Sequence, residues 1–192
     1  MLPGERLVLA SASPRRPQLL AGMGIDFEVD VSDFDEGRLS GLGPRAHAIL
    51  AARGKAAQVR RRRPDAWVVG VDTVVAVDGL RLGKPTDAGD AARMLRLLSG
   101  RAHSVISAVH IASPKGDAGG IATSRVRIKP LSEQEIASYI AGGEGFDKAG
   151  AYAIQGKAGR FALLERGRLD TVVGLPTHLL RRLLREHAAE GD

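Results

Sequence analysis

Four short segments of the 192-residue chain concentrate hydroxyl, cationic and acidic side chains. The first, at 11–16, is Ser-Ala-Ser-Pro-Arg-Arg; it follows an apolar run and precedes a helical pattern. Hydroxyls and free backbone N–H groups before a helix favour phosphate binding, and Arg15 and Arg16 add bidentate phosphate donors. The alternative is a capped helix with solvated arginines, although arginine at a helix N-terminus opposes the helix dipole.

The second segment, Gly-Val-Asp-Thr at 70–73, ends an apolar run with Asp72 and Thr73. A carboxylate at a strand end beside a hydroxyl is typical of a metal ligand or a general base. Taken alone, it is more typical of a turn between two strands. Glu36, with Asp35 in a polar loop, adds carboxylates of the kind that bind a divalent cation. An ordinary acidic loop is the alternative there.

The third and fourth segments carry groups suited to a nucleotide. Pro85 constrains the backbone of Lys84 near an extended shape, which would fix a positive charge for a triphosphate. The alternative is a surface lysine in a turn. In the segment 147–156, glycines permit close backbone approach, and Gln155 offers both a donor and an acceptor to a base edge. A glycine-rich hairpin is the alternative.

The composition narrows the class of protein. A net charge of +6 favours a phosphate-rich partner without choosing among nucleotide, nucleic acid and membrane surface. The absence of cysteine excludes disulfides and thiolate metal sites. The arginine run at 60–63 is more typical of a solvated helix end than of a nucleic-acid contact. No apolar stretch approaches the ~18 residues of a membrane span, so we predict a cytoplasmic protein without a membrane partner. We also predict no nucleic-acid partner, because the sequence has too few aromatic residues for a stacking surface.

The elements that position these segments alternate between strand and helix in the first half of the chain, and hairpins dominate the middle. This order predicts an α/β fold with a mixed sheet, in one domain over 1–192. Strands are predicted at 7–10, 27–31, 67–71, 74–77, 103–111, 121–128, 161–165 and 169–173. Helices are predicted at 15–23, from Pro44 to about 63, from Thr86 or Asp87 to 100, from a Ser132–Glu135 capping box to about 141, and from Pro176 onward.

Taken together, the segments resemble the Maf family of nucleoside triphosphate pyrophosphatases over nearly the whole chain. The match runs in order through 9–16, 35–36, 55–56, 72–75, 83–85, 98–100, His103, 147–152, 154–156 and 173–176. The resemblance implies a twisted mixed sheet flanked by helices, similar to inosine triphosphatases, with a cleft between two lobes. It also implies a homodimer, and hydrolysis of nucleoside triphosphates to monophosphate and pyrophosphate with a divalent cation (Mg²⁺, Mn²⁺ or Co²⁺).

The resemblance also assigns roles by position. Asp72 corresponds to the proton acceptor, and Glu36 and Asp72 to carboxylates for the cation. The residues tied to substrate choice correspond to Arg15, Thr73 and Gln155, and those that hold phosphate to Ser11, Arg16, Lys55 and Lys84. The run at 147–156 is similar to the branch acting on dTTP and UTP, a house-cleaning activity that extends to modified pyrimidine nucleotides. Ala153 replaces a usual glycine, and 167–170 lacks a usual tyrosine, so these departures bear on fine substrate preference.

Two functions of other classes stay open at this level. A nucleotide sensor without turnover, acting on septum formation, would use the same cleft. However, a pure anion binder gains little from the carboxylates of Asp72 and Glu36. A nucleic-acid binder would show salt-dependent affinity. Whether Asp72 acts as base, metal ligand or both is not decided by the sequence.

Overall fold

A seven-stranded mixed sheet forms the centre of the molecule, in the order β2-β1-β3-β5-β6-β7 with β4 also paired to β3. A computed structural model describes residues 6–189, so the ends of the predicted 1–192 domain lie outside the described residues. β1 runs parallel to β2 and β3, and the other pairs are antiparallel. The strands are β1 (Leu7–Ala10), β2 (Phe27–Val29), β3 (Trp67–Val77), β4 (Leu80–Leu82), β5 (Ala102–Ser113), β6 (Gly116–Ile128) and β7 (Ala162–Arg166).

Helices cover both faces of this sheet, which confirms the predicted mixed α/β architecture. They are α1 (Arg15–Ala21), α2 (Pro44–Arg62), α3 (Ala88–Leu98), α4 (Glu133–Ala141), α5 (Leu169–Val173) and α6 (Thr177–Ala189). Short 3₁₀ helices lie at Glu36–Leu39, Ala149–Ala151 and Lys157–Arg160. Within residues 6–189, no helix is long and apolar enough to cross a membrane.

The apolar core divides at the middle of β3. Side chains of a strand alternate between faces, so Val71, Thr73 and Val75 share one face. Val71 packs into a cluster with β1, α1 and α6, whereas Val75 packs into a second cluster with α3 and α4. Thr73 lies between the two clusters. The opposite face, which carries Val74, packs against α2. This division corresponds to the two lobes that the resemblance implied.

One edge of β3 is interrupted at the same place. β1 pairs with β3 up to Gly70, and β4 pairs with it only from Val75 onward. Among the described residues, no strand therefore pairs with 71–74 on this edge, although β5 pairs continuously with 68–76 on the other. The sheet thus opens a gap at Asp72 and Thr73, and the loops that follow β1 and β4 border it.

Helix α2 lies unusually close to β3. A Cβ atom placed on Gly70 would be 2.1 Å from the Ala52 carbonyl oxygen and 2.7 Å from the Ala56 nitrogen. Only glycine allows the helix backbone to approach the strand this closely. Gly70 and Asp72 point to the same face of β3, so this contact brings the side chain of Lys55, next to Ala56, toward Asp72.

Three predictions of the elements were wrong. The strands predicted at 67–71 and 74–77 are one strand, because β5 pairs through Asp72 and Thr73 without a break. The strand predicted at 169–173 is helix α5; the Asp170 carbonyl accepts from Gly174 N, and Gly174 ends the helix with φ of +120°. β6 begins at Gly116 rather than 121. Leu179 of α6 packs against its Gly120, and a Cβ there would be 3.1 Å from the leucine side chain.

Candidate active site

A cavity of about 890 Å³ opens at the gap in the sheet. Its lining draws on both lobes: the turn after β1, the loop before α2, the middle of β3, the segment after β4 and the loop at 144–156. All nine residues singled out from the sequence line it, namely Ser11, Arg15, Arg16, Glu36, Lys55, Asp72, Thr73, Lys84 and Gln155. These nine residues come from six separate stretches of sequence, Lys55 from α2 among them, and they meet in one cleft.

Lys55 joins two of the acidic residues of the cleft, Asp72 and Glu36. Its ammonium lies 2.8 Å from Asp72 Oδ1 and 2.7 Å from Glu36 Oε1. The side chains of Lys55 and Asp72 are only 12% and 8% exposed. Asp72 Oδ2 is buried and has no hydrogen-bond partner among the described residues. Because a buried carboxylate oxygen without a partner is costly, this atom is suited to accept a proton or a cation from a ligand.

Glu36 is held in place by its own loop. Asp35 accepts a hydrogen bond from Gly37 N at 2.9 Å and so caps the 3₁₀ helix that begins with Glu36. His47 Nε2 lies 3.7 Å from Glu36 Oε2. Burial raises the pKa of Glu36, but the charges and hydrogen bonds of Lys55 and His47 outweigh burial, so the pKa is lowered on balance. Glu36 is therefore an ionised carboxylate at neutral pH.

Arg16 is tied to the protein through all three of its nitrogens. Nε donates to the Gly174 carbonyl at 3.0 Å, Nη1 to Ser11 Oγ at 2.8 Å and Nη2 to Thr73 Oγ1 at 3.3 Å. Burial lowers the pKa of Arg16, while the negative charge of Asp72 opposes that shift. An arginine keeps its charge even so, and this one forms a fixed positive wall of the cleft.

The hydroxyl of Thr73 belongs to the same network. It lies 2.9 Å from Ser107 Oγ on the neighbouring strand, and Ser107 in turn donates to the Thr171 carbonyl at 2.7 Å. Ser107 was missed by the sequence reasoning, because a serine within an apolar strand shows nothing of its pairing with Thr73. Because the network bonds Thr73 to Arg16 and Ser107, its hydroxyl fixes neighbouring groups as well as facing the cleft.

The remaining predicted residues lie toward the rim. Lys84 and Gln155 are exposed, and Arg15 Nε is buried without a hydrogen-bond partner among the described residues. The carbonyl of Gly83 accepts from Gly150 N at 3.0 Å, which ties the Lys84 segment to the loop at 144–156. Gly150 has φ of +75°, a conformation that favours glycine.

Four further charged residues line the cleft but were not named as site residues from the sequence: Arg81, Glu144, Asp147 and Lys148. Lys148 pairs with Asp147. Arg81 lies on β4 opposite Ala76, and no hydrogen bond or ion pair of its side chain is present in the described part. A lone arginine in a short hairpin and a glutamate in a glycine-rich loop gave no distinctive pattern.

Two of the acidic groups, Glu36 and Asp72, are candidates to hold a divalent cation. Among residues 6–189, no group of three or more His, Cys, Asp or Glu side chains is placed to hold a metal ion. Glu36 and Asp72 alone provide two carboxylates within reach of one ammonium group. Mg²⁺ typically uses one or two carboxylates and takes its other ligands from water and substrate phosphates, so two suffice.

The arginine run at 60–63 lies at the end of α2, as predicted. Arg62 Nη2 is 2.6 Å and Arg63 Nε is 3.0 Å from the carboxylate of Asp30, which follows β2. Arg63 also pairs with Glu28 at 3.2 Å. Hydrogen bonds from both arginines lower the pKa of Asp30. Half of the run is therefore neutralised by neighbouring carboxylates.

The sequence matches the profile of a known family, described as "Maf-like protein", over residues 6–187. The chain belongs to the Maf family. Among similar Maf proteins is the dTTP/UTP pyrophosphatase of Geotalea uraniireducens (strain Rf4), 46% identical over 176 residues, or 90% of each chain. That of Thermococcus gammatolerans (strain DSM 15229 / JCM 11827 / EJ3) is 47% identical over 177 residues, 92% of this chain and 94% of the relative.

Solved structures of similar fold include the Staphylococcus aureus Ham1 protein. It is 12% identical with a TM-score of 0.47, over 98% of this chain and 100% of that one. A HAM1 protein from Coxiella burnetii is 19% identical with a TM-score of 0.44, over 65% of this chain and 73% of that one.

Proposed function

We propose that this Maf protein is a pyrophosphatase that hydrolyses dTTP and UTP, and modified pyrimidine nucleotides of the same shape, in a house-cleaning role. Water attacks the α phosphorus, the bond from that phosphorus to the bridging oxygen breaks, and pyrophosphate leaves. The observation that carries the proposal is the unpartnered, buried Oδ2 of Asp72 in a cleft lined by cations. The names of relatives at 46–47% identity support it.

Asp72 is proposed as the group that receives the proton of the attacking water. Lys55 donates a hydrogen bond to Oδ1, so it orients the carboxylate and leaves Oδ2 without a partner among the described residues. Glu36 and Asp72 would hold a divalent cation such as Mg²⁺, Mn²⁺ or Co²⁺. When bound, such a cation lowers the pKa of water and neutralises phosphate charge.

We propose that two of the cationic side chains are held in place by other protein groups, whereas another is free to adjust to the substrate. Arg16 and Lys55 are held by protein groups and would offer a preorganised positive field to the phosphates. Lys84 lies at the rim, and the Ser11 hydroxyl, which accepts from Arg16, still has its own proton to donate. Pyrophosphate carries several negative charges, so these groups would stabilise it as it leaves.

Substrate choice is proposed to depend on Arg15, Thr73 and Gln155. Gln155 lies exposed on the wall of the cleft, where its amide offers both a donor and an acceptor to a base edge. Thr73 would act through the guanidinium of Arg16, to which it is bonded.

The similarities favour turnover over a sensor without catalysis, because the names of these relatives are those of enzymes. We also propose that residues 1–192 form one domain, because both lobes pack on the same sheet. We propose a cytoplasmic location, because the proposed substrate is a free nucleotide. A homodimer is proposed from the resemblance alone, and the mass in solution tests it.

Asp72→Asn tests the chemistry, because it keeps the shape of the side chain and removes its charge. Loss of a general base costs about 10²–10⁴-fold in kcat, or about 3–5 kcal/mol of barrier. Pyrophosphate release is measured on dTTP, UTP, CTP and modified nucleotides, with Mg²⁺, Mn²⁺ or Co²⁺. Asp65→Asn, at an exposed position before β3, is the matched control. An Asp72→Asn enzyme with most of the wild-type kcat would remove Asp72 from the mechanism.

A further inference from the structure

We propose that Tyr139 and Glu144 form a positioning clamp that holds the backbone on both sides of Gln155 and thereby sets the nucleotide preference of the cleft. The two residues are called the clamp below. The inference rests on the proposed function, in which Gln155 contacts the base. Neither clamp residue was singled out from the sequence, and neither belongs to the group around Asp72.

The clamp forms hydrogen bonds with both ends of the segment 153–157. The Glu144 carboxylate accepts from Lys157 N, at 3.1 Å to Oε1 and 2.9 Å to Oε2. The Tyr139 hydroxyl donates to Glu144 Oε2 at 3.1 Å and accepts from Ala153 N at 3.0 Å. One connected set of hydrogen bonds therefore fixes the peptide that joins Tyr152 to Ala153 and the peptide that joins Gly156 to Lys157, with Gln155 between them.

The carboxylate also lies directly against the segment. A Cβ placed on Gly156 would be 1.8 Å from Glu144 Oε1 and 2.3 Å from its carboxyl carbon. No side chain fits between them, so the glycine brings the backbone onto the carboxylate. In contrast, no hydrogen bond of the Gln155 side chain is present among the described residues. The position of its amide therefore depends on the backbone that the clamp holds.

The donor and acceptor groups of Tyr139 and Glu144 suit a stable hydrogen-bonded link. The Tyr139 ring is 2% exposed and packs edge-on against Phe161, with the ring centres 5.2 Å apart. Burial raises the pKa of Tyr139 above its ordinary value, so the hydroxyl keeps its proton to donate. A carboxylate accepts only, which matches the N–H and O–H groups around it. A glutamine at 144 would direct its own N–H₂ group at one of these donors.

The test compares the preference for dTTP over dGTP, as the ratio of kcat/KM, in four variants: Tyr139→Phe, Glu144→Gln, Gln155→Ala and Glu144→Gln with Gln155→Ala. Each single change is expected to lower the ratio about 3- to 30-fold. The double variant is expected to match Gln155→Ala, because residues acting through one another are not additive. Glu165→Gln, on β7 away from the cleft, is the matched control.

The outcomes separate the clamp from the proposed function. If the wild-type enzyme hydrolyses neither dTTP nor UTP, the proposed function fails. If the enzyme is active and Tyr139→Phe keeps the wild-type ratio, the clamp is overturned. It is also overturned if Gln155→Ala leaves the ratio unchanged, or if the double variant shows the product of the single effects. Tyr139→Phe keeps the ring, so it carries the test even where Glu144→Gln does not fold. Faster hydrogen exchange at the amides of Ala153 and Lys157 is expected in Tyr139→Phe, and unchanged exchange would contradict the clamp.

Discussion

The contact between Gly70 and α2 links packing to chemistry, and Gly70→Ala tests that link. The added methyl would lie 2.1 Å from the Ala52 carbonyl oxygen, 2.7 Å from Ala56 N and 2.9 Å from Ala56 Cβ. Real Cβ atoms essentially never approach other atoms within 3.0 Å. All three atoms belong to α2 and two of them to its backbone, so no side-chain rotation relieves the clash. The helix must move away from β3 by about 1 Å.

The displacement has two consequences of known size. Overpacking of this kind costs about 1–3 kcal/mol of unfolding free energy, and each kcal/mol lowers Tm by about 2–4 °C in a chain of this length. Lys55 is adjacent to Ala56, and its ammonium bonds to Asp72 at 2.8 Å and to Glu36 at 2.7 Å. A shift of about 1 Å would break these hydrogen bonds, and such a misplacement costs up to about 10²-fold in rate.

The assay combines thermal unfolding with kcat/KM for dTTP, both for Gly70→Ala and for Gly43→Ala. Gly43 precedes the same helix, and a Cβ there meets nothing within 4 Å, so the control is expected to keep activity and nearly all stability. The activity of Gly70→Ala is measured well below its Tm, so that loss of rate reports geometry rather than unfolding. Wild-type Tm and activity in Gly70→Ala would refute the close-packing argument.

Features governed by neighbouring residues were predictable from the sequence. The Asp78-Gly79 turn has positive φ at both residues, as a two-residue hairpin requires, and it joins β3 to β4. The capping box of Ser132 and Glu135 begins α4 with both of its hydrogen bonds present. In each case the controlling contacts lie within a few residues, so local sequence determines them.

Features governed by distant contacts were not predictable in the same way. Thr73 lies within a continuous strand because β5, some thirty residues later in the chain, pairs with it at Ser107. The helix at 169–173 is built around Asp170, whose carboxylate accepts from Thr177 N and Oγ1. An apolar pattern of β-branched residues did not reveal that contact.

The residues of the candidate active site divide in the same way, into those that local sequence predicted and those that depend on distant contacts. Phosphate-binding composition at 11–16 was visible from residue types alone. Lys55, however, lies within a predicted helix, where most lysines are solvated, and its partnership with Asp72 and Glu36 depends on how α2 packs at Gly70. The resemblance to the Maf family brought Lys55 into the prediction. The ordered motifs of a family reflect the tertiary contacts of its fold, which residue types alone do not show.

Two further changes probe the stability of one lobe and the charge of the cleft. His103 is buried, and burial together with the Arg125 charge lowers its pKa from 6.5 to about 4, so the unfolded chain binds more protons between those values. The contribution of neutral His103 to the free energy of unfolding is thus complete above pH ~6.5 and falls by about 3 kcal/mol as the pH drops to ~4. The free energy of unfolding of His103→Gln, measured against pH, should lack this loss. Parallel curves for the wild type and the variant would disprove the argument. Arg81→Gln removes a cation that lines the cleft without an ion pair in the described part, so KM for dTTP should rise about 5-fold. The Arg81 charge would attract the bound substrate and the transition state equally, so kcat should change less than about twofold. The control Arg61→Gln, at the exposed end of α2, should change neither KM nor kcat. A KM equal to wild type would show that the Arg81 side chain does not reach the phosphates.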